Sequence, residues 1–192
     1  APPMGDQMAM VRINGTNYEV LTANTDGSDV QTVVSVTQRI YQAAISKSGR
    51  YLAYTQLNTE SGNYRIVLID QQTEETKVVA LEMAPENRLY WSPRADRFAY
   101  VGKGDDFETP DTLVVLDAAT GVRTATTTNM VAFTDWPDYF WWSHDGSKIL
   151  YLQETEEAQI PIVFDPATQM ESPFPMPQNE LFIAGDWNSD NA

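Results

Sequence analysis

Carboxylates are the side chains of this protein that lie densely enough to do chemistry, and they gather in two short segments. The first segment, residues 102–111, holds four acids, two glycines and one lysine. The second, residues 154–157, holds three glutamates. Oxygen ligands at this spacing suit Ca²⁺, and a dense group of uncompensated acids also attracts basic protein partners. The acids are Asp105, Asp106, Glu108 and Asp111 in the first segment, and Glu154, Glu156 and Glu157 in the second.

The first acidic segment allows two interpretations. It can bind Ca²⁺ through the carboxylates of Asp105, Asp106, Glu108 and Asp111, or it can be a solvated loop that binds no ion. Asn24–Asp29 also alternates oxygen-bearing residues, but it lacks the late bidentate acid of an EF-hand loop, so we interpret it as a turn. We expect no cofactor, with Ca²⁺ at the first acidic segment as the alternative.

Other residues with catalytic potential are sparse. The chain has one histidine, His144, and no cysteine, which excludes disulfides, zinc–thiolate sites and cysteine nucleophiles. His144 has no nucleophile pattern around it, and we interpret it as a turn residue. The sequence contains no Gly-x-Ser-x-Gly elbow, phosphate loop or dinucleotide fingerprint. We therefore expect a protein that is not an enzyme.

The charge of the chain limits the class of partner. Of its 192 residues, 27 are acidic and 12 are basic, so the formal net charge is −15. Nucleic acids and anionic membrane surfaces are polyanions, and we expect neither as a partner. No apolar run approaches the roughly 20 residues of a membrane-spanning helix, so we expect no membrane span in this chain. From the Ala1-Pro2-Pro3-Met4 start we expect an exported protein, either periplasmic or extracellular.

The elements that must position these acids follow a repeat. An Asp-x-x-Thr signature begins at Asp70, Asp117 and Asp165, and a looser copy begins at Asn24, so the interval is 46 to 48 residues. Asp and Thr side chains bond nearby backbone amides, which suits them to turns. A period of this size predicts a repeat architecture.

Each repeat is predicted to contain four short antiparallel strands, named A to D. Residues 44–54, 90–100 and 141–151 align without gaps as strand, Ser-containing turn and strand, closing on Tyr54, Tyr100 and Tyr151. A third strand leads into each Asp-x-x-Thr turn, and a fourth follows it except after Thr168, where the chain is too rich in proline for a strand to be predicted. No long stretch shows helical apolar periodicity. Units of four strands and 40–50 residues predict an all-β propeller.

The repeat resembles that of a known family. Ser143-His144-Asp145-Gly146-Ser147-Lys148-Ile149-Leu150-Tyr151, followed by an apolar strand and an Asp-x-x-Thr turn, is similar to the repeat of TolB-like β-propellers. It is also similar to the propeller domains of prolyl-oligopeptidase-type peptidases. The resemblance covers most of residues 8–170. It implies the propeller fold and leaves the function open, since such repeats serve many tasks.

The two ends of the chain are predicted to complete one blade together. Residues 8–36 supply strands B, C and D, and residues 181–192 resemble a lone strand A. We predict a single domain of four blades, at 41–81, 88–126, 139–172, and 181–192 plus 8–36. The alternative is part of a larger propeller, cut between strands A and B.

The up-and-down chain path sorts the loops onto two faces. The A–B and C–D turns share one face, here called the turn face, and the B–C and D–A loops share the other, here called the loop face. We predict that the loop face, where acids surround apolar side chains, is a docking surface for a protein. The alternative is that its apolar residues only pack the loops onto the blades. The predicted contacts are Asp105, Asp106, Phe107, Glu108, Asp111, Trp136, Glu154, Glu156, Glu157, Phe174 and Met176.

The resulting functional hypothesis is a non-catalytic interaction or scaffold module. We expect an exported accessory subunit of a larger assembly, for which a membrane-associated assembly is one candidate, and we expect its partners to be proteins. The alternative is a propeller that binds a ligand or glycan, or a metal-dependent enzyme, with either one using the central channel.

Overall fold

Four antiparallel sheets of short strands build the part of the protein that the structure describes. The computed structural model describes residues 7–83, 88–102, 112–127, 140–155 and 159–174, and every regular element in these ranges is a β-strand. The first sheet has the strand order β1-β2-β3, and each of the other three sheets contains four strands that are neighbours in sequence order. The prediction of an all-β propeller is confirmed.

The strand bounds follow the predicted repeat. The first sheet contains β1 (Gln7–Asn14), β2 (Asn17–Asn24) and β3 (Gln31–Val36). Blade 1 contains β4 (Ile40–Ile45), β5 (Tyr51–Leu57), β6 (Tyr64–Asp70) and β7 (Glu75–Met83). Blade 2 contains β8 (Leu89–Trp91), β9 (Arg97–Gly102), β10 (Thr112–Asp117) and β11 (Val122–Thr126). Blade 3 contains β12 (Phe140–Trp142), β13 (Ile149–Glu154), β14 (Gln159–Asp165) and β15 (Met170–Pro173).

Two observations concern the chain ends of the predicted ring. The strand A expected at 181–192 to complete the first sheet lies outside the described residues, so the composite blade and the domain bounds stay predictions. The segment after Thr168 is too rich in proline for its fourth strand to be legible from the sequence, and the structure places β15 there, paired with β14.

The hydrophobic core lies between neighbouring sheets. One cluster joins the first sheet to blade 1, a second joins blade 1 to blade 2, and a third joins blade 2 to blade 3. Successive side chains of a strand point to opposite faces of its sheet. In β2, Val20 and Leu21 are 0% and 4% exposed, and in β13, Tyr151 and Leu152 are 0% and 1% exposed. The first sheet and blade 3 thus bury apolar side chains on both faces, as blades of a ring do.

The Asp-x-x-Thr signature forms the C–D turn of each blade. The Asp117 carboxylate accepts bonds of 2.9 Å from both the backbone N–H and the hydroxyl of Thr120. Asp70 and Asp165 accept N–H bonds of 2.9 Å from the residue two positions later. The turn residue after the threonine takes a positive φ in each copy: Glu74 (φ 60°), Gly121 (φ 70°) and Gln169 (φ 57°). The repeat is therefore a requirement of the turn.

Asn24–Asp29 forms a turn between β2 and β3, as interpreted from the sequence. The carboxylate of Asp26 accepts bonds from the backbone N–H and the hydroxyl of Ser28, at 2.9 and 2.6 Å. The backbone N–H of Gly27 donates to the carbonyl of Asn24 at 2.9 Å. These oxygens serve the turn itself.

Candidate protein-interaction face

Ion pairs on the turn face join strands B and C within a blade. The Arg50 guanidinium binds the Asp70 carboxylate at 2.7 Å, and the Lys148 ammonium binds the Asp165 carboxylate at 2.5 Å. Hydrogen bonds from Arg50 hold the pKa of Asp70 at about 2, and the bond from Lys148 does the same for Asp165. In blade 3, hydroxyl and backbone bonds from Ser143 and Ser147 lower the pKa of Asp145 to about 2.

Two further basic side chains of this face, Arg94 and Arg97, connect blade 2 to blade 3. Arg94 Nε donates to the carbonyl of His144 at 3.2 Å, and Arg97 Nη2 donates to the carbonyl of Gly146 at 2.5 Å. The Arg97 guanidinium also lies over the Trp142 ring, 5.3 Å from its centroid. His144 thus occupies the A–B turn of blade 3, as interpreted from the sequence. Arg94 and Arg97 therefore help to hold blade 2 against blade 3.

The loop face exposes apolar side chains on blade 3. Ile160 and Phe174 are 37% and 46% exposed. The backbone N–H of Phe174 donates to the carbonyl of Pro161 at 2.8 Å, which extends β15 to this end of the blade. Glu154 pairs with Gln159 in the β13–β14 register. We call Glu154, Ile160 and Phe174 the blade 3 tip, and it brings two predicted contact residues to one place.

The other blades present different chemistry on the loop face. The two-residue β1–β2 turn, equivalent to a B–C loop, lies beside Ile13, which is 67% exposed. Blade 1 presents the polar loop 58–63, in which the side-chain oxygen of Asn58 accepts the backbone N–H of Glu60. Apolar exposure in the described part of this face is therefore concentrated on blade 3 and the first sheet.

A group that was not predicted from the sequence, Arg88 with the phenols of Tyr41 and Tyr90, lies at the innermost strands. The Gln42 amide makes two hydrogen bonds to the backbone of Leu89, of 2.8 and 3.0 Å, and so joins β4 to β8. Burial alone lowers the pKa of Arg88, but hydrogen bonds with the phenols of Tyr90 and Tyr41 outweigh it and raise this pKa. Tyr41 is 41% exposed. Neither Tyr41 nor Arg88 belongs to a motif, so the sequence carried no signal for this group.

The predicted contact residues are only partly described. Phe174 is exposed, and Glu154 ends β13 on the loop face. Asp105, Asp106, Phe107, Glu108, Asp111, Trp136, Glu156, Glu157 and Met176 lie outside the described residues, and so does the alternative Ca²⁺ site. Within the described ranges, no group of three or more His, Asp or Glu side chains is arranged to hold a metal ion. The same ranges hold no helix of the length and apolarity that a membrane crossing requires.

The chain is similar in structure to known β-propellers. No family model and no curated protein sequence matches it. It superposes on TolB from Acinetobacter baumannii with a TM-score of 0.56 and 17% identity, covering 88% of this chain and 41% of that one. For Porphyromonas gingivalis dipeptidyl peptidase 4 the TM-score is 0.60 and the identity 12%, covering 88% and 31% of the two chains.

A third similar structure is the β-propeller domain of the Trilobed protease from Pyrococcus furiosus, described as having an open velcro topology. Its TM-score is 0.56 at 13% identity, covering 90% of this chain and 54% of that one. The chain thus spans between 31% and 54% of the length of these three proteins. At such identities the likeness concerns the fold, and it confirms the resemblance to TolB-like and peptidase propellers at that level.

Proposed function

We propose that this protein is a non-catalytic interaction module that binds a partner protein through its loop face. The observation that carries the proposal is the blade 3 tip, where Ile160 and Phe174 are exposed and where Glu154, the first residue of the second acidic segment, ends β13. Apolar anchors surrounded by polar groups are the usual anatomy of a protein interface.

The energy available from this tip supports a role in binding. A phenylalanine side chain offers roughly 200 Å² of surface, so covering the exposed 46% of Phe174 is worth about 2 kcal/mol at ~25 cal/mol per Å². A contribution of this size is typical of an interface hot spot. Ile160 adds a second, smaller anchor on the same blade end.

The carboxylates of the turn face support the non-catalytic part of the proposal. A general acid or base works best with a pKa near the operating pH. Asp70, Asp145 and Asp165 have a pKa of about 2, so they stay ionised at neutral pH. They stabilise turns and ion pairs. We further propose that the protein acts as an exported accessory subunit of a larger assembly, which the resemblance of its repeat to the TolB-like family supports.

A matched pair of variants on one strand tests the docking surface. Phe174 follows the loop-face end of β15, and Met170, which is 63% exposed, begins the same strand at the turn face. We expect Phe174→Ser combined with Ile160→Ser to reduce recovery of the partner at least tenfold in a quantitative cross-linking pull-down. Met170→Ser is expected to leave recovery unchanged. If the Phe174→Ser/Ile160→Ser protein and the Met170→Ser protein recover equal amounts of the partner, the proposal is contradicted.

Arg88 and its two tyrosine partners support a second candidate function, the binding of an anionic ligand at the channel. Arg88 precedes β8 and forms hydrogen bonds with the phenols of Tyr90 and Tyr41, which belong to the innermost strands β8 and β4. A ligand bound at 100 times its Kd raises stability by about 2.7 kcal/mol. We expect carboxylated sugars, and not neutral ones, to raise the melting temperature. Arg88→Gln should abolish the shift, and identical melting curves with both kinds of sugar would exclude this candidate.

A further inference from the structure

We propose that the outer edge of the first sheet, strand β3, accepts an extended segment rich in lysine or arginine from a partner protein as an added β-strand. This surface is separate from the loop face and does not depend on the function proposed above.

In the part of the chain that the structure describes, no strand pairs with the outer edge of β3. This strand ends the strand order β1-β2-β3, and Gln31, Thr32 and Ser35 are exposed. Val33 is 37% exposed, and Val30, just before the strand, is 54% exposed. A strand in this position offers a row of backbone N–H and C=O groups to any chain that can extend beside it.

The outer strands of the other blades carry charges that β3 lacks. β7 contains Glu75 and Lys77, which pair at 3.1 Å, while β11 contains Arg123 and β15 contains Glu171. Residues 30–38 hold no charged side chain and are rich in valine and threonine. Charges on an edge strand are a common protection against pairing with another chain. β3 is thus the outer strand with the least protection.

A bulge interrupts β3 but leaves half of it regular. The register with β2 shifts between Val20 and Leu21, and similar shifts occur in β6–β7 and β10–β11, so the bulge does not distinguish β3. The segment Val34–Val36 pairs regularly with β2. Val34 and Val36 pack inward against the cluster shared with blade 1. This anchored half can support an added strand whose affinity comes from main-chain hydrogen bonds.

The negative charge near β3 indicates which kind of segment would bind at its edge. Asp26 and Asp29 are exposed just before β3, and hydrogen bonds from Ser28 lower the pKa of Asp26 below its ordinary value. A second copy of this chain would bring another net charge of −15 to the same place, and close approach of two such charges is unfavourable. A basic extended segment is attracted by the same field, with a range of about 8 Å at physiological salt.

The test uses a blocked peptide of about eight residues, long enough to cover β3, that alternates lysine with valine or threonine. We expect hydrogen exchange of the 31–36 amides to slow on binding, and we expect the affinity to fall as salt is raised. A peptide with glutamate in place of lysine should bind at least tenfold more weakly. A peptide methylated on alternate backbone nitrogens should lose binding, because it cannot complete the ladder.

Two exposed valines on outer strands provide matched variants of the protein. Val33→Lys places a charge on β3, and Val78→Lys makes the same change on β7, where Val78 is 49% exposed. We expect Val33→Lys to weaken peptide binding at least tenfold and Val78→Lys to leave it near the wild-type value. The Phe174→Ser and Ile160→Ser protein should bind the peptide normally, which separates this inference from the proposed function.

Three results would overturn the inference. These are unchanged exchange of the 31–36 amides in the presence of the lysine peptide, equal affinity for the glutamate peptide, and equal effects of Val33→Lys and Val78→Lys. Sedimentation showing a dimer of the protein alone that is lost in Val33→Lys also overturns it, because the occupant is then a second copy.

Discussion

Gly146 is the position at which one methyl group should most directly disturb the contact between two blades. It lies in the A–B turn of blade 3 with a φ of +67°, and its carbonyl accepts the hydrogen bond from Arg97. A Cβ at this position would lie 2.5 Å from Ser92 Oγ and 3.4 Å from Arg94 Cβ, both in the A–B turn of blade 2. Real Cβ atoms do not approach other atoms at 2.5 Å, so Ser92 Oγ must leave its position or the two turns must separate.

The cost of Gly146→Ala can be worked out from two contributions. A positive φ costs a non-glycine residue about 1–2 kcal/mol, and the reduced entropy of the unfolded chain offsets roughly 0.4–1 kcal/mol of this. Overpacking adds typically ~1–3 kcal/mol. We expect Gly146→Ala to lower the free energy of unfolding by about 2–4 kcal/mol.

Gly15 and Gly27 provide controls that carry the backbone cost without the contact. Their φ values are +63° and +84°, and no heavy atom lies within 4 Å of a Cβ built on either. Each alanine variant should therefore lower the free energy of unfolding by only about 1 kcal/mol. Urea denaturation, with m-values unchanged, measures all three. If Gly146→Ala costs no more than the two controls, the contact between the turns contributes nothing to stability.

A double-mutant cycle with Ser92→Ala assigns the extra cost to the named atom. Ser92→Ala removes the Oγ that the new methyl group would meet, although it also removes the acceptor of the Arg94 N–H bond. We expect Ser92→Ala to cost less in the Gly146→Ala background than in the wild type, with a coupling energy of about 0.5–2 kcal/mol. If the effects of the two substitutions on the free energy of unfolding simply add, the strain lies elsewhere in the turn and not at Ser92 Oγ.

Three further predictions follow from the turns and the innermost strands. The pKa of Asp70 is about 2 in the folded protein, against an ordinary value of 3.8. The ionised Asp70 therefore contributes its full stabilisation of the folded state above pH 3.8, and this contribution is lost as the pH falls towards about 2. The melting temperature should fall as the pH is lowered over this range, and Asp70→Asn should make it depend less steeply on pH. Glu74→Gly should raise the free energy of unfolding by roughly 0.5–1 kcal/mol, because Glu74 holds a φ of 60° that favours glycine; a lower midpoint in urea would contradict this. Gln42→Ala should cost about 1–3 kcal/mol, because it leaves both backbone groups of the buried Leu89 without their amide partner; an unchanged midpoint would show that water replaces the amide.

The blade strands and their C–D turns could be predicted from the sequence because the causes are local. The carboxylate of Asp117 bonds residues three positions away, so any segment that forms this turn must carry the signature nearby. The short strands β8 and β12 have three residues each and were legible only through alignment with the repeat. The fold was therefore accessible from a single chain.

The contacts between blades could not be predicted, because they join residues about one repeat apart and belong to no motif. The Gln42 amide reaches Leu89 across 47 positions, and Arg97 reaches Gly146 across 49. A glutamine and an arginine carry no sign of such partners in their local sequence. From the sequence, the candidate site could be predicted only as a set of acidic and apolar loops. The positions of Ile160 and Arg88 could not be predicted, because they depend on where the strands end.

The two faces have different roles, and this difference explains why the repeat predicts the fold but says little about the function. On the turn face, ion pairs connect strands within blades 1 and 3 and carbonyl contacts join blade 2 to blade 3, so the charged residues that make these contacts are constrained. Loop closure costs only about 0.6 kcal/mol for each doubling of loop length, so the loop face can change in length and chemistry while the turn face maintains the fold. Residues that break the repeat, such as Ile160 and Phe174, are then the ones free to respond to a partner.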